Sequence, residues 1–127
     1  MAVTWEYRGE LLVVTETGVM TNEELERAFV REALADARAR PAMRVVWDAR
    51  GSLAPLSGRD IEWRVDLLTS LGAHGLVSRL ALLVRGGKSQ TAGLGRGMAK
   101  EVLPLQFNAF SEESEALAWL NEQTSRD

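Results

Sequence analysis

The chain has no cysteine, a single histidine, three prolines and one tyrosine in 127 residues, and each scarcity removes a class of function. Without thiols there is no disulfide framework, no thiolate metal site and no cysteine nucleophile, and one histidine does not make a histidine-rich metal centre. No metal site is therefore expected. No apolar run approaches the roughly 18 residues of a membrane-spanning helix, and the opening Met-Ala-Val-Thr-Trp-Glu lacks the basic and apolar regions of a secretory leader. The expectation is a cytoplasmic protein without membrane insertion. Charge of one sign is also lacking: 15 basic against 18 acidic residues leave a net charge of −3, small and of the wrong sign to draw the molecule to nucleic acid.

What is present is enough apolar material for one core. Hydrophobic residues make up 46% of the chain, so residues 1–127 are read as a single domain, without linker or internal repeat. Val3, Trp5 and Tyr7 alternate with Thr4, Glu6 and Arg8, the period-2 pattern of a half-buried strand. A turn at Arg8-Gly9 leads to a second strand over residues 11–17, giving an antiparallel hairpin. Thr21-Asn22-Glu23-Glu24 has the spacing of a capping box and opens a helix with Phe29, Val30, Ala33, Leu34 and Ala37 on one stripe, stopped by Pro41. A strand over residues 43–48 ends at Asp48, and Ser57 opens a second helix. The run 79–84 is apolar enough for a central strand. A third helix is expected over about residues 89–103, weakened by Gly93, Gly95 and Gly97. Leu105, Phe107 and Ala109 alternate along an edge strand, and Ser111 caps a last helix with Ala116, Leu117 and Leu120 inward. The order β-β-α-β-α-β-α-β-α predicts an α/β fold with one mixed, mostly parallel five-stranded sheet and four helices, its last four strands joined by right-handed crossovers.

In such sheets ligands meet the crevice outside the carboxyl ends of the strands, which directs attention to the stretch from Asp48 to Ser57. Arg85, Gly87, Lys88 and Ser89 form a glycine turn before a helix, and this is a candidate site for one small anion. It is not a nucleotide-binding P-loop, because the first glycine of that motif would have to stand at Leu82, inside a strand. No catalytic residue is assigned. Ser57, His74 and Asp48 do not make a hydrolase triad: no nucleophile elbow is present, and a helix length separates Ser57 from His74. His74 suits a helix C-terminus, and Asp48 suits hydrogen bonding to the loop after its strand. The helix from Ser57 carries two apolar stripes. Ile61, Val65, Leu68 and Gly72 are expected to face the sheet, which leaves Trp63, Leu67 and Leu71 for neighbouring helices, a homodimer face or a partner groove.

The opening hairpin with Trp5 and its Arg8-Gly9 turn, Gly18, Thr21-x-Glu23-Glu24-Leu25, Val45-Val46-Trp47-Asp48, and Phe110 with Glu115-Ala116-Leu117-Ala118-Trp119-Leu120 together resemble the SpoIIAA-like branch of the STAS/SEC14 families, over nearly the whole chain. The resemblance implies a superhelical β/α sheet, no cofactor, no catalytic site and a switchable binding module. The anti-sigma-factor antagonists among these relatives are turned off by phosphorylation. Ser57-Gly58 matches their phosphorylated serine, although Pro55-Leu56 precedes it in place of Asp-Ser, and Arg59, Asp60, Glu62 and Arg64 stand where those relatives are mostly apolar. The plainer role of Ser57 is a helix cap, with Asp60 completing an approximate capping box. The leading expectation is a non-enzymatic regulatory module that binds a protein partner or itself. The alternative is a small apolar-ligand or lipid-binding domain of the SEC14 type, against which the shortness of the chain argues.

Overall fold

The computed structural model describes residues 3–19, 21–53, 58–85 and 105–122, apart from the side chain of Ile61. Alternation builds the first hairpin: β1 (Val3–Arg8) and β2 (Leu11–Gly18) pair antiparallel, turning at Gly9 with φ +63°. β3 (Met43–Ser52), β4 (Val77–Leu83) and β5 (Gln106–Phe110) follow, each parallel to its predecessor, in the spatial order β1-β2-β3-β4-β5. The sheet is the expected one, with a single antiparallel pair.

Helix α1 starts at the capping box. Glu24 N donates to Thr21 Oγ1 at 3.1 Å and Thr21 N donates to Glu24 Oε1 at 2.9 Å, so two otherwise orphaned backbone donors are satisfied reciprocally. It is α-helical over Asn22–Leu25 and continues as a π-helix over Glu26–Ala33. It does not run on to Pro41. Leu34 N reaches back to Phe29 O, and Asp36 then accepts from Arg38 N at 2.8 Å, turning the chain. Leu25, Phe29 and Ala33 are fully buried, whereas Ala37, expected on the same stripe, lies past the helix end and is exposed.

β3 also departs from expectation, continuing past Asp48 to Ser52. Thr15 pairs with Asp48 but Thr17 with Gly51, so β3 carries one extra residue, a bulge that lets the ladder go on to Gly18 and Ser52. Gly51 suits the close approach there: a Cβ would stand 3.1 Å from the Glu16 carbonyl oxygen and 3.2 Å from Thr17 Cγ2, so a side chain would have to push the β2 strand by a few tenths of an ångström.

Helix α2 (Gly58–Ala73) closes with a Schellman pattern, Leu76 N to Leu71 O at 2.9 Å and Gly75 N to Gly72 O at 3.0 Å, with Gly75 at φ +71°. His74 sits exposed at this terminus with Nδ1 2.8 Å from Ser70 O, the structural role expected of it. The expected third helix, about 89–103, lies outside the described residues. Helix α3 (Glu113–Leu120) has Glu112 as its N-cap residue in place of the expected Ser111, and Glu112 makes no side-chain cap bond.

The sheet divides the core in two. Leu12, Val14, Val45, Trp47, Leu80 and Leu82 face α1 and α2, and the alternate positions Val13, Val46, Ala81 and Leu83 meet Ala116 and Leu120 of α3. This is the period-2 pattern of strands covered on both sides.

Candidate functional site: the carboxyl edge of the sheet

The carboxyl ends of β2, β3 and β4 meet the amino ends of α1 and α2. Gly18, at φ +65°, turns the chain out of β2, and its carbonyl accepts from Leu53 N at 2.9 Å. That bond ties together the segments following β2 and β3, and each presents an apolar side chain outward. Val19 is 75% exposed and Leu53 63% exposed, an uncommon pairing for large aliphatic residues on adjacent segments. Beside them, Asn22 Nδ2 donates to Asp60 Oδ1 at 3.2 Å, joining the first turns of the two helices.

The edge rests on buried charge. Glu16 and Arg64 are 1% and 3% exposed. Arg64 donates from a terminal guanidinium nitrogen to Glu16 Oε2 at 2.9 Å, Trp47 Nε1 donates to the same oxygen, and the guanidinium lies over the Trp47 ring, 5.5 Å from its centroid. One carboxylate thus links β2, β3 and α2. The partners must all be present, because a buried charge that loses its counter-charge is strongly destabilising.

On the other face, Asp48 accepts from Arg50 at its backbone N (3.1 Å), Nε (3.0 Å) and a terminal nitrogen (2.9 Å), and Arg50 also stands 3.7 Å from Glu113. Burial works to raise the Asp48 pKa, but the Arg50 guanidinium and backbone N–H outweigh it and hold the carboxyl below its usual range. Asp48 is therefore a fixed anion that braces the bulge, as expected of a residue binding the N–H groups that follow it, and not a group poised to give up or take a proton. Among the described residues no group of three or more His, Cys, Asp or Glu side chains could hold a metal ion, and no helix is long and apolar enough to cross a membrane.

The expected site residues separate. Ser57, Gly87, Lys88 and Ser89 lie outside the described residues. Arg85 is at the edge, but its Nε donates to Arg50 O at 2.9 Å and a terminal nitrogen to Ser52 O at 3.4 Å, so it braces the end of β3. The second stripe of α2 needs correction. Leu71 is 3% exposed and belongs to the core with Leu68, so it is not a surface residue; Trp63 and Leu67 are half-buried and pack against the same cluster. The buried face of α2 is Arg64, Leu68 and Leu71, at i, i+4 and i+7, and Val65 and Gly72 are only partly covered.

Sequence reasoning missed Glu16, Arg64, Val19 and Leu53. For Glu16 a signal existed: it shares the inward parity of Leu12 and Val14.

No family model matches the chain, and no curated protein does. Solved structures similar over most of its length include two that bear on the fold. One is an uncharacterised DUF3478-family protein with a SpoIIAA-like fold from Shewanella loihica PV-4, 23% identical with a TM-score of 0.62, covering 94% of this chain and 92% of that one. The other is an anti-sigma factor antagonist from Mycobacterium paratuberculosis, 17% identical with a TM-score of 0.66, covering 94% of this chain and 93% of that one. With the sheet order and the helix positions described above, these likenesses identify the fold as SpoIIAA-like, of the STAS type.

Proposed function

We propose that the chain is a non-enzymatic regulatory module that binds a protein partner through the carboxyl edge of its sheet. The observation that carries this reading is the exposure of Val19 and Leu53, on segments joined by the Leu53 N–Gly18 O bond. Exposed aliphatic side chains on braced segments are suited to a protein surface, since their burial there costs little ordering entropy. The likeness of fold to an anti-sigma factor antagonist supports the same class. In sequence, Ser57 immediately precedes the first residue of α2. A phosphate on it would add nearly two negative charges to the chain just before α2, which disfavours burial in an apolar contact. Self-association is the smaller part of the reading and would use Trp63 and Leu67, the two stripe residues that keep surface.

The lipid-carrier alternative is not favoured. Two adjoining cavities, of about 470 and 310 Å³, are open depressions that share Arg40 and Pro41, and neither is the enclosed apolar chamber an acyl chain needs.

The test is affinity capture from the native cell with the wild-type chain and with a Val19→Asp/Leu53→Asp double variant, quantified by mass spectrometry. A defined partner should be retained by the wild type and lost by the variant, while the thermal melt stays unchanged because both side chains are exposed. Equal recovery from both would remove the edge from the interface. Light scattering of Trp63→Glu beside the wild type checks self-association: a wild type already monomeric at tens of micromolar sinks that part alone.

A further inference from the structure

At the opposite end of the sheet, the amino ends of β2 and β3 border an open cavity of about 470 Å³. Arg8, Arg40 and Arg44 line it, with Asn121 and one carboxylate, Glu10. Arg8 is already paired with Glu6 and Glu113, so the cations that bear on an anion here are Arg40 and Arg44, set against the single lining carboxylate Glu10. The three cations come from separate elements: the end of β1, the turn before β3, and β3 itself. That turn is firmly held. Ala42 adopts φ +59°, unusual for a residue with a Cβ; its N donates to Gly75 O at 2.8 Å and its O accepts from Ser78 Oγ at 2.9 Å.

The arginines differ in commitment. Arg8 pairs with Glu6 and Glu113, and Arg44 donates one terminal N–H to Leu120 O at 2.6 Å, which fixes its guanidinium and leaves its other donors. Arg40 is exposed, and among the described residues no carboxylate pairs with it. Its side chain is the one that can turn to a ligand, while Arg44, held by Leu120 O, offers donors already in position. Leu11 and Met43 add an apolar wall.

We infer that this cavity binds a small molecule carrying a phosphate monoester. A tetrahedral dianion can accept from several guanidinium and amide donors at once, where a planar carboxylate is satisfied by one arginine fork. The apolar wall suits the organic remainder of an ester. The inference does not depend on the partner-binding reading, because it concerns the other end of the sheet.

The experiment is an amide NMR titration of the full chain with phenyl phosphate, inorganic phosphate and citrate at fixed ionic strength, each to about 10 mM, well above a Kd of about 1 mM. Phenyl phosphate should give saturable shifts at Leu11, Arg44 and Asn121 and bind more tightly than inorganic phosphate. Arg40→Glu should weaken it at least about tenfold, the loss expected of a charged hydrogen bond. Arg31→Glu, the same charge change at an exposed position that lines neither cavity, should leave it unaltered. Four results would overturn the assignment: no saturable shift; equal weakening in both variants, which is bulk electrostatics; citrate binding as tightly as phenyl phosphate; or shifts confined to His74 and Leu76, which line the adjoining cavity that also touches Arg40.

Discussion

On the face covered by α1 and α2, the buried arginine, Arg64, meets a full counter-charge in Glu16. On the face covered by α3, the buried arginine, Arg79, has no carboxylate partner among the described residues. It donates to the carbonyl of Trp119 and lies over that residue's ring, 4.9 Å from the centroid, while its register partner Arg44 donates to Leu120 O. There the balancing charge is the partial negative end of a helix, spread over several carbonyls. A full ion pair in a dry site demands both members, whereas the Trp119 carbonyl that holds Arg79 also accepts from Glu122 N at 3.2 Å and so keeps a donor if the cation leaves. The two faces should therefore answer substitution differently.

The largest effect is expected for Arg64→Ala, which strands the Glu16 carboxylate with only Trp47 Nε1 as donor among the contacts described. Loss of one partner of a buried pair costs about 3–5 kcal/mol, readable by urea denaturation. Glu16→Gln/Arg64→Met removes both charges, keeps an acceptor for Trp47 and should recover most of that loss. A single-variant loss below about 1 kcal/mol would mean that water reaches Glu16, and the contrast between the faces would fall. Arg79→Met should cost less, about 1.5–3 kcal/mol for a charged hydrogen bond, and the cost should be local. Hydrogen exchange would quicken at amides 113–120 and change little in α1 and α2. Uniform quickening throughout the chain would mean that α3 and the main core unfold as one unit.

These arginines also mark how far the sequence could be read. Strand positions were legible because period-2 alternation has no competitor in β1, and apolar runs flanked by glycines delimit β2 and β4. The end of β3 was not, because an aspartate followed by a glycine reads as a turn and only the bulge opposite Thr15 and Thr17 keeps the strand going. The face of α2 was misread for a related reason. Counting only apolar residues hides a stripe whose first member is Arg64, and its partner Glu16 lies 48 residues away on a strand. Each half of the pair has the correct periodicity for burial, but the pairing itself is a tertiary fact. The same holds for Val19 and Leu53. One aliphatic residue beside a strand-ending glycine carries no mark of exposure, and their adjacency comes from the parallel register of β2 and β3.

The smallest expected effect sharpens the comparison at the rim of the α3 face, where Asp48 and Arg50 stand close to Glu113. The Asp48 pKa is depressed in the folded chain, so its ionised form contributes stability that is fully present above the unfolded value of about 3.9 and is lost as pH falls through the lower, folded value. Arg50 is 38% exposed, and solvent screening limits the pair to under about 1 kcal/mol. Asp48→Asn should thus be slightly less stable than the wild type at pH 7, keep that gap down to about pH 4, and converge with the wild type below it. Urea unfolding at a series of pH values reads the difference directly. A gap that persists unchanged at pH 2 would assign the contribution of Asp48 to neutral hydrogen bonding across the bulge, and would leave the α3 face stabilised by helix-end carbonyls and packing with no measurable part for its ion pairs.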